Sequence, residues 1–505
     1  MSYRKGNVIK NRAYMLVLGT ALALGTSWAQ SDSSQQQPGS SQQPADNTQQ
    51  QGTGAVPAFG QDNAAPVSND NPPLSGLDQP SLEPRAAARS FLIPGAHVSQ
   101  SLDTNVGSGG PHINGITRAL GSLTLQRLWS RYDVGLDYVG GGVFYPRSSV
   151  GAAQVHQLDA DQRILWRTGQ LAIRDSFSYL PEGMFGFGSF GGAGALPGLG
   201  IGGGVLGGGF GNFFGPGEFA TLQQQPRLTN VSLADITQAL SPRSTVTIAG
   251  SYGLVHFIDN SFGFVNSRQV GAQGGYNYLL SRRDQVGIAY GYQAFRYPGI
   301  SGTNFNTQVV HLLYGHRISG RMDLVLGGGP QYTQLNTPQT KSSTQLSASG
   351  RATLRYRFEK SSVSLSYHHY NTSGSGFFTG AKSDVGRITY TRPINRLWDM
   401  LADIGYTHNT RIFPLFLGIP NPANVPSNTT SYNFWYAGGS LHRQIGRNFS
   451  AYVSYQFNEF YFGCAGVSVP SVPSSVSPSL ACGNRSQRHV GTIGLDWHPH
   501  PIRLD

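Results

Sequence analysis

The chain has 505 residues and a formal net charge of +11, yet only 12% of its residues are charged, about half the share of an ordinary soluble protein. No run of about eighteen apolar residues occurs downstream of the N-terminal region, which excludes membrane-spanning helices there. With 67 glycines, 24 tyrosines and 26 phenylalanines, the composition suits a wall of many strands, each carrying a thin share of the apolar residues.

Residues 1–29 read as a secretory signal peptide. Arg4, Lys5, Lys10 and Arg12 are its basic flank, 13–25 its apolar core, and Ser27-Trp28-Ala29 its small-residue cleavage site, so the processed chain is expected to begin at Gln30. The apolar core, about thirteen residues, is too short to span a bilayer comfortably. Residues 30–90 are rich in Gln, Ser, Pro and Asn. Such a segment buries too little apolar surface to offset the entropy of ordering it, and a disordered linker is expected.

From 91 to 498 the pattern becomes period-two alternation broken at a regular rhythm. In 285–297, Val286, Ile288, Tyr290, Tyr292 and Ala294 share one face. In 344–358, Leu346, Ala348, Ala352, Leu354 and Tyr356 face one way and Gln345, Ser347, Arg351, Thr353, Arg355 and Arg357 the other. Nearly every segment repeats this split between a charge-free greasy face and a small, polar or basic one, as lipid outside and water inside require. Tight turns are expected at Ser130-Arg131, Thr168-Gly169, Pro242-Arg243, Arg282-Arg283, Ser319-Gly320, Glu359-Lys360, Asn395-Arg396 and Gly446-Arg447, with longer loops between them. The rhythm predicts an all-β, closed antiparallel transmembrane β-barrel of about eighteen strands, with sixteen as the alternative. An even number brings both termini to the turn end, the periplasmic side. Trp129, Trp166, Trp398 and Trp497 fall near that end, as does a run of basic turn residues suited to anionic head groups. Residues 499–505 are expected as a C-terminal tail.

Chemical motifs are weak. Gly186-x-Gly188-x-x-Gly191 lies in the glycine-rich loop 181–226 without the strand–helix context a dinucleotide site needs. His368 and His369 point to opposite faces of a strand, and His498 and His500 sit among prolines, so neither pair makes a metal site. Ser364, Ser366 and His368 share a strand face, but a two-residue separation of about 7 Å is beyond direct proton transfer. No catalytic residue, cofactor or metal is expected, and an exported chain has no call for nucleic acid. Cys464 and Cys482 share one loop and are expected to form a disulfide in an oxidising compartment.

On its alternation, turn rhythm and aromatic placement, the chain resembles bacterial outer-membrane β-barrels of the porin-like type over roughly residues 95–498. The resemblance implies the outer membrane of a Gram-negative envelope, contact with outer-membrane lipids, and insertion by barrel-assembly machinery, with Trp497 in the place of the usual terminal aromatic. It also implies a porin-like channel for passive or substrate-limited diffusion of small hydrophilic solutes. The alternative is a non-transporting barrel, an adhesin or a partner of an export or surface-assembly machine; a membrane hydrolase comes third. Lumen-lining candidates are Arg351, Arg355 and Arg357 on one strand, and Asp399 and Asp403 on a strand three places along the wall, roughly 14 Å away. Asp133, Asp137, Asp159, Asp161 and Arg163 add mixed signs, so a weak anion preference is expected.

Overall fold

Period-two alternation forces successive side chains to opposite sheet faces, and the computed structural model shows what that does here. It describes residues 90–104, 113–146, 151–180, 226–258, 264–300, 302–337, 342–374, 376, 378–413, 429–464 and 485–504. The expected signal peptide, the linker up to residue 89, residues 181–225 of the glycine-rich loop and Cys482 lie outside the described residues.

The strands run β1 (Phe91–Asp103), β2 (Asn114–Leu128), β3 (Tyr132–Tyr145), β4 (Gly151–Trp166), β5 (Gly169–Leu180) and β6 (Arg227–Ser241). They continue through β7 (Ser244–Phe257), β8 (Ser267–Leu279), β9 (Asp284–Arg296), β10 (Asn304–Ser319), β11 (Met322–Asn336) and β12 (Ser343–Arg357). The last are β13 (Ser362–Thr372), β14 (Ala381–Pro393), β15 (Trp398–Arg411), β16 (Thr429–Ile445), β17 (Phe449–Cys464), β18 (Arg485–Trp497) and the two-residue β19 (Ile502–Arg503). From β1 to β18 each strand pairs antiparallel with its sequence neighbour, and β1 pairs with β18 from Ala96↔Trp497 to Asp103↔Val490. The sheet is therefore a closed ring of eighteen strands. Closure satisfies the backbone of every strand without leaving an edge, the condition for crossing hydrocarbon with strands.

All eight expected turns fall at one end of the ring, with the longer connections at the other. Trp129 and Trp497 are exposed at the turn end, at 50% and 39%. Arg127 lies over the Trp129 ring at 5.0 Å and Arg443 over Trp398 at 5.2 Å. The segment after Trp497, expected as a tail, instead returns to the wall, where Ile502 and Arg503 pair with Leu92 and Phe91.

The seam between first and last strands is held on its inner face by polar pairs. His97 Nδ1 lies 2.5 Å from Asp496 Oδ1, and Ser101 and Thr492 hydroxyls meet at 2.9 Å. Arg488 donates from Nε to both oxygens of Asp103, at 2.9 and 2.8 Å, and from Nη2 as well. Charge-assisted forks of this kind fix geometry as well as adding energy, so the register of closure is specified beyond the backbone ladder.

Candidate functional site

The register gives the two faces of the wall different characters. Leu346 is 74% exposed, and Leu312, Ile248, Ile404, Val453 and Ile493 are exposed with it on the outer face. Soluble proteins rarely expose so continuous an apolar surface, and a belt of this kind around a closed barrel calls for lipid. The inner face is the opposite: Ser99, Thr229, Thr247, Gln269, Thr333 and Asn409 are buried polar residues on it. The combination defines a membrane-spanning β-barrel.

All ten lumen-lining candidates fall on the inner face, and two groups of them stand apart. On β3 and β4, Asp133 pairs with Arg163 in register, and Asp137 faces Asp159 directly. Asp161 faces Gly135, where a Cβ would strike the Asp161 carboxylate. Neutral donors hold these acids in place. Thr124 Oγ1 donates to Asp137 at 2.6 Å, Gln157 Nε2 to Asp159 at 2.6 Å, and Gln126 Nε2 to Asp133. On β5 and β6, Arg174 Nη2 reaches Asp235 Oδ1 at 2.5 Å. We call this arc the acidic wall.

Arg351, Arg355 and Arg357 project inward from β12, beside inward Ser362, Ser364, Ser366 and His368 of β13. Neither β12 nor β13 carries an inward acid, while on the other side Asp323 of β11 is the register partner of Arg355 and lies 3.4 Å from Arg317 of β10. Arg351 faces Gly327 of β11, where an added Cβ would lie 2.7 Å from Leu313 Cδ2 and 3.1 Å from Arg351 Cγ. Glycine there makes the slot in which the guanidinium stem lies. In a ring of eighteen, β12 is nine strands from β3, which puts the basic and acidic walls on opposite sides of the lumen.

That placement corrects the expected counter-ladder. Asp403 of β15 belongs to a local pair, because Arg387 of the intervening β14 donates from Nε at 3.0 Å and from Nη2 at 2.6 Å, and Tyr436 Oη donates at 3.1 Å. A carboxylate so held contributes little field at a distance. Asp399, the other member, sits near the turn end beside His442 in register. Arg387, Arg174, Asp235 and the seam residues His97, Asp103, Arg488 and Asp496 are inward charges that sequence reasoning missed. Strand parity alone could have found them.

Toward the loop end the inner face turns aromatic. Phe295 and Phe305 stack at 4.3 Å, Phe434 and Phe460 approach at 4.7 Å, and each is essentially inaccessible. The β13–β14 connection folds in among them. Gly374, Gly376 and Gly380 adopt φ of 89°, 76° and 110°, conformations open to glycine and strained for other residues. Phe378 packs on Tyr432 at 5.4 Å, Gly376 accepts a hydrogen bond from Val265 N at 3.3 Å, and Tyr297 Oη donates to Ser373 O at 3.0 Å. This inward-folded segment joins β7–β8 to β16 across the loop end. The glycine-rich loop 181–226 lies outside the described residues up to 225.

Among the described residues no group of three metal-ligating side chains forms. Ser364, Ser366 and His368 all point inward from β13. Cys464 ends β17 and is disulfide-bonded, while its expected partner Cys482 lies outside the described residues.

No family model matches the chain, and no curated protein matches it. Solved structures do. The FrpB iron transporter of Neisseria meningitidis is 8% identical over 82% of this chain and 83% of that one, with a TM-score of 0.40. OccK2 of Pseudomonas aeruginosa is 9% identical over 82% and 100%, and OpdK of the same organism, solved with vanillate, is 10% identical over 81% and 98%; both have TM-scores of 0.39. At that level of superposition they add nothing to the barrel already described.

Proposed function

We propose that the chain is an outer-membrane transport barrel of a Gram-negative envelope, passing small hydrophilic solutes by substrate-limited diffusion. The observation that carries this reading is the pair of opposed walls. Aspartates on β3 and β4 and arginines on β12 face each other across one lumen. Charge rows so placed orient dipolar solutes and set ion preference. The aromatic loop end supports a restricted conduit over a freely open one. With both termini periplasmic, the turn-end arginines meet the inner-leaflet head groups. Insertion is assigned to the barrel-assembly machinery, and no catalytic step, cofactor or nucleic-acid partner enters the reading.

The buried aromatic segment also favours a second reading, a barrel that works through its loops and does not conduct. Planar-bilayer recording separates the two. Discrete conductance steps are expected, with longer openings for Phe378→Ala, which removes the ring that packs on Tyr432. Silence from both proteins, at full folding, would favour the second reading.

A further inference from the structure

The outer face changes character at one height across β8–β11. On β8, Val270, 49% exposed, is followed toward the loop end by exposed Arg268. On β9, Tyr290 and Tyr292 lead through Ala294 to exposed Arg296, and on β10, Leu312 and Val310 give way to Gln308, Asn306 and Asn304. On the membrane reading this change marks the step from acyl chain to head group.

At that step Arg268 and Arg296 are direct register partners. Facing residues in such a pair have Cα atoms about 5 Å apart, and like charges so placed destabilise a sheet. Exposed His256 lies on the neighbouring strand, just beyond Leu254, which pairs with Arg268. Arg296 is held from behind, its Nη1 donating to Asn306 Oδ1 at 2.9 Å and to Phe295 O at 3.0 Å. Asn336 Nδ2 donates to Asn304 at 2.9 Å, which fixes the amide bordering the pair.

Elsewhere around the same rim two basic groups have acids beside them. His369 meets Asp384 at 2.7 Å, and Arg485 lies 4.0 Å from Glu459. Among the described residues, the loop-end half of the outer face from β7 to β12 holds no acid. The arc therefore presents two arginine forks and a histidine at head-group depth, directly above an apolar belt.

We propose that Arg268 and Arg296, with His256, form a binding site for the phosphate of a membrane lipid. Its acyl chains lie on Val270, Tyr292 and Val310. Guanidinium forks match phosphate oxygens with paired, charge-assisted hydrogen bonds, and one phosphate between the two arginines converts their repulsion into shared attraction. The proposal rests on the membrane reading above, and its test keeps the two separable.

The full chain and Arg268→Ser/Arg296→Ser would be purified in neutral detergent. Insertion and folding are read independently by heat-modifiable gel mobility. Binding is then read by native mass spectrometry with bis-phosphorylated lipid A, its dephosphorylated form, and inorganic phosphate. The native barrel is expected to hold the phosphorylated lipid at least about tenfold more tightly than the double variant, as expected for lost charge-assisted contacts, and more tightly than the dephosphorylated lipid. Inorganic phosphate should compete only weakly, since it lacks the chains. Arg268→Lys/Arg296→Lys should retain part of the binding, and Arg485→Ser, at the acid-flanked site, all of it. Equal retention by the native protein and the double serine variant, both folded, would overturn the site. So would equal binding of phosphorylated and dephosphorylated lipid. Failure to form a heat-modifiable barrel would instead count against the membrane reading.

Discussion

The acidic wall of β3 and β4 and the basic wall of β12 are built by the same device with opposite sign. Each sets a charged side chain over a glycine of the adjacent strand: Asp161 over Gly135 and Arg351 over Gly327. Each also sets neutral hydroxyl and amide neighbours among its charges, Thr124, Gln126 and Gln157 on one side and Ser362, Ser364 and Ser366 on the other, and each includes a minority of opposite charge, Arg163 beside Asp133 and Asp323 beside Arg355. The Arg387–Asp403 pair, two strands beyond β12, shows the alternative, in which opposite charges meet locally at 2.6 Å. Local pairing rigidifies a wall, whereas segregation across a lumen produces a field. Under the proposed function the excess of acids on β3 and β4 and of arginines on β12 supplies that field, while pairs such as Arg387–Asp403 and Arg174–Asp235 brace the wall.

The largest break in this comparison crosses the wall itself. Leu346→Arg places a cation on the lipid face of β12 and should cost roughly 2–4 kcal/mol at mid-bilayer depth. Thr353→Arg adds the same charge to the inner face of that strand and should fold nearly as well as the native chain. Urea unfolding in lipid vesicles measures both, and equal losses would mean the two faces are not solvated differently.

A smaller effect is steric. Gly327→Val fills the slot beneath Arg351, against Leu313, and overpacking of this kind typically costs about 1–3 kcal/mol. The same substitution at Gly386, where an added Cβ meets nothing within 4 Å, should cost less. If the two unfold alike, glycine at 327 is not there to make room.

The smallest concerns the acidic wall alone. Asp137 and Asp159 face each other in register, so Asp137→Asn should stabilise the barrel by about 0.2–1 kcal/mol near neutral pH. A loss of stability there would show that both carboxylates are needed in place.

The parts of this architecture that were legible in the sequence are those that depend on local spacing. Leu346 outside and Arg351 inside follow from period two, and the turns at Pro242-Arg243 and Asn395-Arg396 from turn chemistry between alternating runs. Which strands oppose one another was not local information. Asp399 and Asp403 looked like the counter-charge to Arg351 because they are near in sequence, but Arg387 on the strand between takes Asp403. The true opposite lies nine strands away, a relation fixed only by closure. His97 and Asp496 are 399 residues apart in sequence, and only the closed seam joins them. The positive-φ backbone at Gly376 and Gly380, set close against Phe257 and Phe305, makes contacts no local pattern announces.

The central claim, that the two walls set a field in a conducting lumen, is tested most directly by reversal potential across a salt gradient. The native barrel in a planar bilayer should show a weak anion preference, since inward arginines and aspartates nearly balance. Arg351→Ser with Arg355→Ser leaves the acidic wall dominant and should carry the reversal potential through zero to cation preference. A potential unmoved by that double substitution, in a barrel that still conducts, would contradict the account.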